Sequence, residues 1–189
     1  MPILMNRDDA TSDDDSSGGE PSEPPQPSPA SEAVPIDVID RTRQLQPEER
    51  SFLEDGLVRL LGGLGTACDR CVVEVVDDRR MSLMHDRWMN DPSSTDVLTF
   101  PMSTPGQPID ADIAVCLPEA ERRSHDLDHD RIHELLLYAL HGLLHVTGHE
   151  DSTDEGFARM HAEEDRLLEQ AGFGRLFDSR DSRSGGDRS

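Results

Sequence analysis

The chain contains no lysine, so all 18 of its basic residues are arginines. Against 40 acids they leave a formal charge of −22 at pH 7 with histidine neutral. Such an excess favours solubility and argues against a broad phosphate-binding surface, because nonspecific nucleic-acid affinity comes largely from cations that neutralise phosphates. It leaves room for a local RNA site built around a bound cation. The exclusive use of arginine is explained as easily by genomic base composition or a salty cell interior as by function. Three cysteines, Cys68, Cys71 and Cys116, are too few for a disulfide framework. Cys68-Asp69-Arg70-Cys71 has the spacing of a redox pair or half a zinc knuckle, but Cys71 opens an apolar run and no second CxxC follows, so a strand is the stronger reading. No apolar run approaches the length of a membrane span, and none follows a basic N-terminal segment. A cytoplasmic protein without a membrane partner is expected.

Apolar residues are also missing from both ends. Residues 1–36 are rich in acid, Ser, Gly and Pro, and ordering them would cost conformational entropy that no core repays, so they read as a disordered acidic tail. Eight acids against Arg7 give the tail a charge of −7, which leaves −15 on the rest. Residues 178–189 alternate Asp and Arg and read as a second disordered tail. Residues 37–177 remain as one folded domain.

Within that body the apolar residues from Pro47 to Leu61 recur at helical spacing, with the glycines of GGLG as a stop. Cys71 to Asp77 is a β-branched run and reads as a strand, and Ser82 to Trp88 as a short helix. Further strands are expected at 96–101, 112–117 and 35–40. Residues 131–146 form the longest apolar helix, to be packed on the sheet. Ser152 with Glu155 resembles a capping box for a last helix lined by Phe157, Met160, Leu167 and Leu168 and ending near Gly172. The expected fold is α+β: a mixed sheet of about four strands packed against a central helix carrying HGLLH.

That helix carries the chemistry. His141 and His145 stand four apart, one above the other on one face, so both imidazoles can reach a single ion. An isolated HxxxH is more often a pair of hydrogen-bonded histidines, but context shifts the balance. Gly142 weakens the helix by about 1 kcal/mol relative to Ala and is most often kept where another group approaches closely. Gly148 can turn the chain and bring His149, Glu150 and Asp151 within reach of the same ion.

The run His141-Gly142-Leu143-Leu144-His145-Val146-Thr147-Gly148-His149-Glu150-Asp151 resembles the signature of the YbeY family, metal-dependent single-strand-specific endoribonucleases of ribosomal RNA maturation. Ser94 to Pro101 and Ala111 to Cys116 resemble two further family segments, and Glu134 falls where the family often has Glu. The resemblance covers roughly residues 37–173. It implies one Zn²⁺ per chain, single-stranded rRNA as substrate, action on the 16S 3′ end and in ribosome quality control, and a small-subunit or ribosomal-protein partner, with no role for DNA. The family's third histidine falls on Asp151, so the implied metal ligands are His141, His145 and Asp151, with His149 as the rival third ligand. The family's Arg after an aromatic falls on Met89, beside Trp88, and Arg87 is the substitute expected to join His141 and His145 in the catalytic set.

Three protein ligands leave a position for water, whose pKa falls toward neutrality, so hydrolysis follows. Zinc peptidases with HExxH use the glutamate after the first histidine as general base, and here that position is Gly142. Glu134, His149 or Glu150 would have to substitute. Arg79 and Arg80, or else Arg122 and Arg123, are further candidates for a narrow positive cleft, and Asp96 and Asp112 for hydrogen bonds to the ligands. The alternatives to the nuclease are a zinc metallopeptidase-like hydrolase and a noncatalytic ribosome-assembly factor with a structural metal.

Overall fold

A β-branched strand between helices that each carry one apolar stripe is stable only when it pairs with other strands and its faces are covered. The computed structural model describes residues 36–127 and 129–174. In chain order these form β1 (Ile36–Asp40), α1 (Pro47–Leu64), β2 (Cys68–Val76), α2 (Asp78–Met89), β3 (Val97–Pro101), β4 (Ile109–Cys116), α3 (Leu117–Leu127), α4 (Arg131–Val146) and α5 (Asp154–Gln170). The strand order is β1-β2-β4-β3, with β1 and β4 parallel to β2 and β3 antiparallel to β4. This is the mixed four-stranded sheet expected. The two tails lie outside the described residues, apart from Ile36, which begins β1. No helix among the described residues is long and apolar enough to cross a membrane.

Several boundaries differ from the sequence reading for identifiable reasons. Helix α1 runs through Gly62 and Gly63 and stops only at Gly65, which takes the left-handed conformation. Helix α2 begins four residues early because the Asp77 carboxylate accepts from the Arg80 amide at 2.7 Å. Thr153, not Ser152, caps α5, its hydroxyl accepting from the Gly156 amide at 3.0 Å, and Phe157 is exposed on that helix instead of packed beneath it. Helix α3 was not anticipated: it buries only Leu117, Ala120 and Ser124, a stripe too thin to stand out from its charged residues. The CxxC pair sits in β2 as expected of a strand. Burial pushes the Cys71 thiol up to about 12, and all three cysteines are free thiols.

Helices α1 and α4 cover one face of the sheet, and α2 half-covers the other. The register lines up Val38, Val73, Ile113 and Thr99 in one row across all four strands. Helix α4 lies over the end of that row, and every residue it contributes is buried except Arg131, His133, His141 and His145. Contact is closest at Gly142, where an added Cβ would lie 2.7 Å from Thr99 Oγ1 and 3.0 Å from Ile113 Cγ2. The helix thus presses its backbone onto β3 and β4, leaving the two histidines raised above the outer strand β3.

A methyl group at this contact costs more through overpacking, about 1–3 kcal/mol, than the roughly 1 kcal/mol it returns in helix propensity. Gly142→Ala is therefore expected to destabilise the protein by up to about 2 kcal/mol in denaturant titrations, and adding Thr99→Ala should recover part of that loss. No recovery would show that the strain lies elsewhere.

Candidate metal centre

The end of α4 is built around one chain reversal. Gly148, with φ of +97°, follows the cap residue Thr147. Its amide donates to the His145 carbonyl at 3.0 Å, and the His149 amide donates to the Leu144 carbonyl at 3.0 Å. This pair of bonds closes the helix with a left-handed glycine in the Schellman arrangement, a conformation that side chains with a Cβ rarely adopt. The reversal sends residues 149–151 back along the last turn of the helix.

It delivers two groups to the histidines. One is the Asp151 carboxylate, 3.5 Å from His141 Nε2 and 3.9 Å from His145 Nε2. The other is the His149 backbone carbonyl, which accepts from His145 Nδ1 at 3.1 Å. The His149 imidazole itself turns away: its Nδ1 meets the Thr147 hydroxyl at 3.2 Å and the Leu144 carbonyl at 3.3 Å. The grouping brought together is His141, His145 and Asp151, with one ligand atom from each, all within 4.8 Å of one another.

The hydrogen bonds fix which nitrogens are free. A carbonyl only accepts, so His145 Nδ1 is the donor, and the neutral imidazole keeps its lone pair on Nε2. His141 Nδ1 lies 2.8 Å from Glu164 Oε1, and donation to that carboxylate leaves its Nε2 bare as well. The two Nε2 atoms are 3.1 Å apart. In this tautomeric state three lone-pair donors converge with no proton between them, an arrangement that a cation relieves, and imidazole nitrogen with carboxylate oxygen is an ordinary divalent-metal donor set. The His141 pKa responds to the same field: burial would lower it, yet Glu164, Asp151 and Asp96 together outweigh burial and hold it above the usual histidine value.

Glu164 was missed in the sequence, although a signal was there. It occupies a core position of α5 between Met160 and Leu168, where an apolar residue would be expected, and it is wholly buried. Asp96 lines the cavity of ≈ 410 Å³ in front of the histidines, together with Met89, Thr99 and Pro101. Its Oδ1 accepts from both the Thr95 hydroxyl and the Val97 amide. Asp112 is instead tied to Arg70 at 2.6 Å in a groove on the opposite sheet face.

The basic candidates separate in the same way. Arg80 pairs with Glu74, and Arg122 with Asp78 and Glu119. Arg87 is exposed and lies over the Trp88 ring, its guanidinium carbon 5.5 Å from the centroid; Met89, not Arg87, lines the histidine cavity. Glu134 is buried against His129 at 2.7 Å and is not among the residues lining that cavity.

Residues 59–172 match the family model described as Endoribonuclease YbeY. Over 155 residues the chain is 28% identical to Endoribonuclease YbeY of Geobacillus thermodenitrificans, covering 75% of this chain and 99% of the relative. Over 106 residues it is 36% identical to the Micrococcus luteus protein of the same name, covering 52% and 68%. The solution structure of TM1509 from Thermotoga maritima shares the fold, with a TM-score of 0.55 at 24% identity over 81% of this chain and 99% of that one. The matched stretch takes in both histidines, Asp151 and the strands beneath them, and on that extent the chain belongs to the YbeY endoribonuclease family.

Proposed function

We propose that this chain is a Zn²⁺-dependent endoribonuclease that cuts single-stranded RNA in the cytoplasm, maturing the 3′ end of 16S ribosomal RNA and contributing to ribosome quality control. The observation that carries the reading is the convergence of Asp151 on His141 and His145, the two histidines that line the cavity. These three residues would hold the ion, which when bound supplies Lewis-acid stabilisation of charge on a phosphoryl oxygen and lowers the pKa of a water. A peptidase reading finds less support, because the position that carries its general base is Gly142, packed against Thr99 and Ile113.

The substrate contacts follow from the edge strand. Along β3, Val97, Leu98, Thr99 and Pro101 line the histidine cavity, while Phe100 lines the groove on the other face. Trp88 lines that groove and Met89 lines the cavity, so this pair sits where the two meet. Trp88 is 60% exposed and stands edge-on to Phe100 with centroids 5.7 Å apart. An exposed indole braced from behind is a stacking platform for an unpaired base, which favours single strands over duplex. Arg87 has no ion pair among the described residues. Its guanidinium is free to meet a phosphate and takes the place of the cation that Met89 lacks. The acidic surface repels a polyanion, so a small-subunit ribosomal protein is the partner that presents the RNA.

The test is cleavage of an end-labelled single-stranded 16S 3′-end precursor by zinc-loaded protein. Wild type should cut it, and His145→Ala or chelation should abolish cutting; zinc-replete wild type that leaves the RNA intact, alone and with ribosomal subunits present, would favour a noncatalytic assembly factor. Base stacking contributes about 1–3 kcal/mol per base, so Trp88→Ala should raise KM roughly tenfold with little change in kcat, and Trp88→Phe should raise it less. Because Trp88 is the only tryptophan, its fluorescence reports the contact directly: single-stranded RNA should quench it in chelated protein, where no cutting occurs.

A further inference from the structure

We propose that Glu164, held in turn by His161, is the positioning residue that sets His141 as a metal ligand; the inference rests on reading His141 as a ligand. Glu164 is wholly buried, and an ionised carboxylate away from water is retained only where partners compensate its desolvation. Its two oxygens are shared between two imidazoles: Oε1 lies 2.8 Å from His141 Nδ1, and Oε2 lies 2.8 Å from His161 Nδ1. No arginine pairs with it among the described residues.

Each oxygen constrains a different thing. The bond to His141 holds that ring's proton on Nδ1 and turns Nε2 toward His145 and Asp151. The bond to His161, one turn earlier on α5, stops the carboxylate from rotating about its own axis, so the plane of the His141 ring is fixed as well as its tautomer. His161 is itself braced edge-on by the Phe157 ring, with centroids 3.9 Å apart. The arrangement is a relay of three side chains, His161 to Glu164 to His141, running from the partly exposed face of α5 into the centre. The other histidine is set differently, by the His149 backbone carbonyl that the turn at Gly148 supplies. One ligand is therefore oriented by the local backbone and the other by an anion on the following helix. A charged acceptor makes the donating imidazole the stronger ligand of the two.

The consequence is that metal affinity depends on residues that do not touch the metal. Removing such a partner lowers affinity roughly 10–100-fold. The measurement is zinc affinity by chelator competition on the full-length protein, with the Co²⁺ absorption spectrum as a signature of ligand geometry and thermal unfolding of the metal-free protein run alongside. Glu164→Gln, whose amide accepts through only one oxygen, should weaken zinc binding within that range and shift the Co²⁺ bands. His161→Gln, at a partly exposed position, should weaken it less and in the same direction. If Glu164→Gln lowers thermal stability while zinc affinity and the Co²⁺ spectrum stay at wild-type values, Glu164 is structural only and the proposal is overturned. If that variant does not fold, an unchanged affinity and spectrum in His161→Gln overturns it equally. Failure of the metal reading looks different: wild type would bind no zinc, or His145→Ala would bind as tightly as wild type.

Discussion

The turn at Gly148 is the constraint on which the candidate centre depends. A helix that ended one residue later, or frayed, would offer the same two histidines with nothing opposite them. Because the chain reverses in a left-handed glycine, the carbonyl that satisfies His145 Nδ1 and the carboxylate that faces both Nε2 atoms come from one short segment, residues 149 to 151. Backbone geometry thereby does two jobs that side chains would otherwise have to share: it sets a tautomer and it supplies the third donor. The close approach at Gly142 fixes the height of this assembly above β3, and the buried flanks of α4 keep the helix from rotating the histidines away.

Charge sets the second condition. A chain with this excess of acid has little positive surface to spare, and many of its arginines are neutralised where they stand: Arg41 and Arg80 on Glu74, Arg70 on Asp110 and Asp112, Arg122 on Asp78 and Glu119, Arg131 on Glu49 and Glu121. Most of these pairs are exposed and add little to stability. Their effect on function is larger, because a paired arginine has no net charge to offer a phosphate. Arg87 differs from these: it has no ion pair among the described residues and stays exposed over the Trp88 ring.

The parts of this arrangement that follow from periodicity were legible in the sequence. Helix α4 has the expected bounds because its apolar residues cover most of its surface and glycine ends it, and the β-branched runs mark the strands. Helix α3 was hidden because packing of three small or isolated residues, not a stripe, secures it. At the centre, spacing alone gave His149 and Asp151 similar claims, since both follow the same glycine; only the path of the backbone shows that His149 serves through its carbonyl and Asp151 through its side chain. Glu164 needed the opposite kind of attention. It breaks an apolar stripe, and a carboxylate at a core position calls for a partner, which the tertiary fold supplies from a different helix.

The residue after the first histidine separates this centre from HExxH peptidases by packing as well as by composition. A glutamate at 142 would need its Cβ where Thr99 Oγ1 and Ile113 Cγ2 already stand. It would fit only if the Thr99 and Ile113 side chains gave way, and β3 is the strand whose Val97, Leu98, Thr99 and Pro101 line the cavity. Gly142 therefore trades a base on the helix for a wall beside the two histidines. That exchange suits a phosphodiester, which is cleaved by stabilising charge on phosphoryl oxygens, better than a peptide bond, whose hydrolysis in HExxH enzymes needs the missing glutamate. The same closeness holds the edge strand β3 against the cluster of His141, His145 and Asp151, so one packing contact both denies the helix a peptidase base and sets the wall of the cavity.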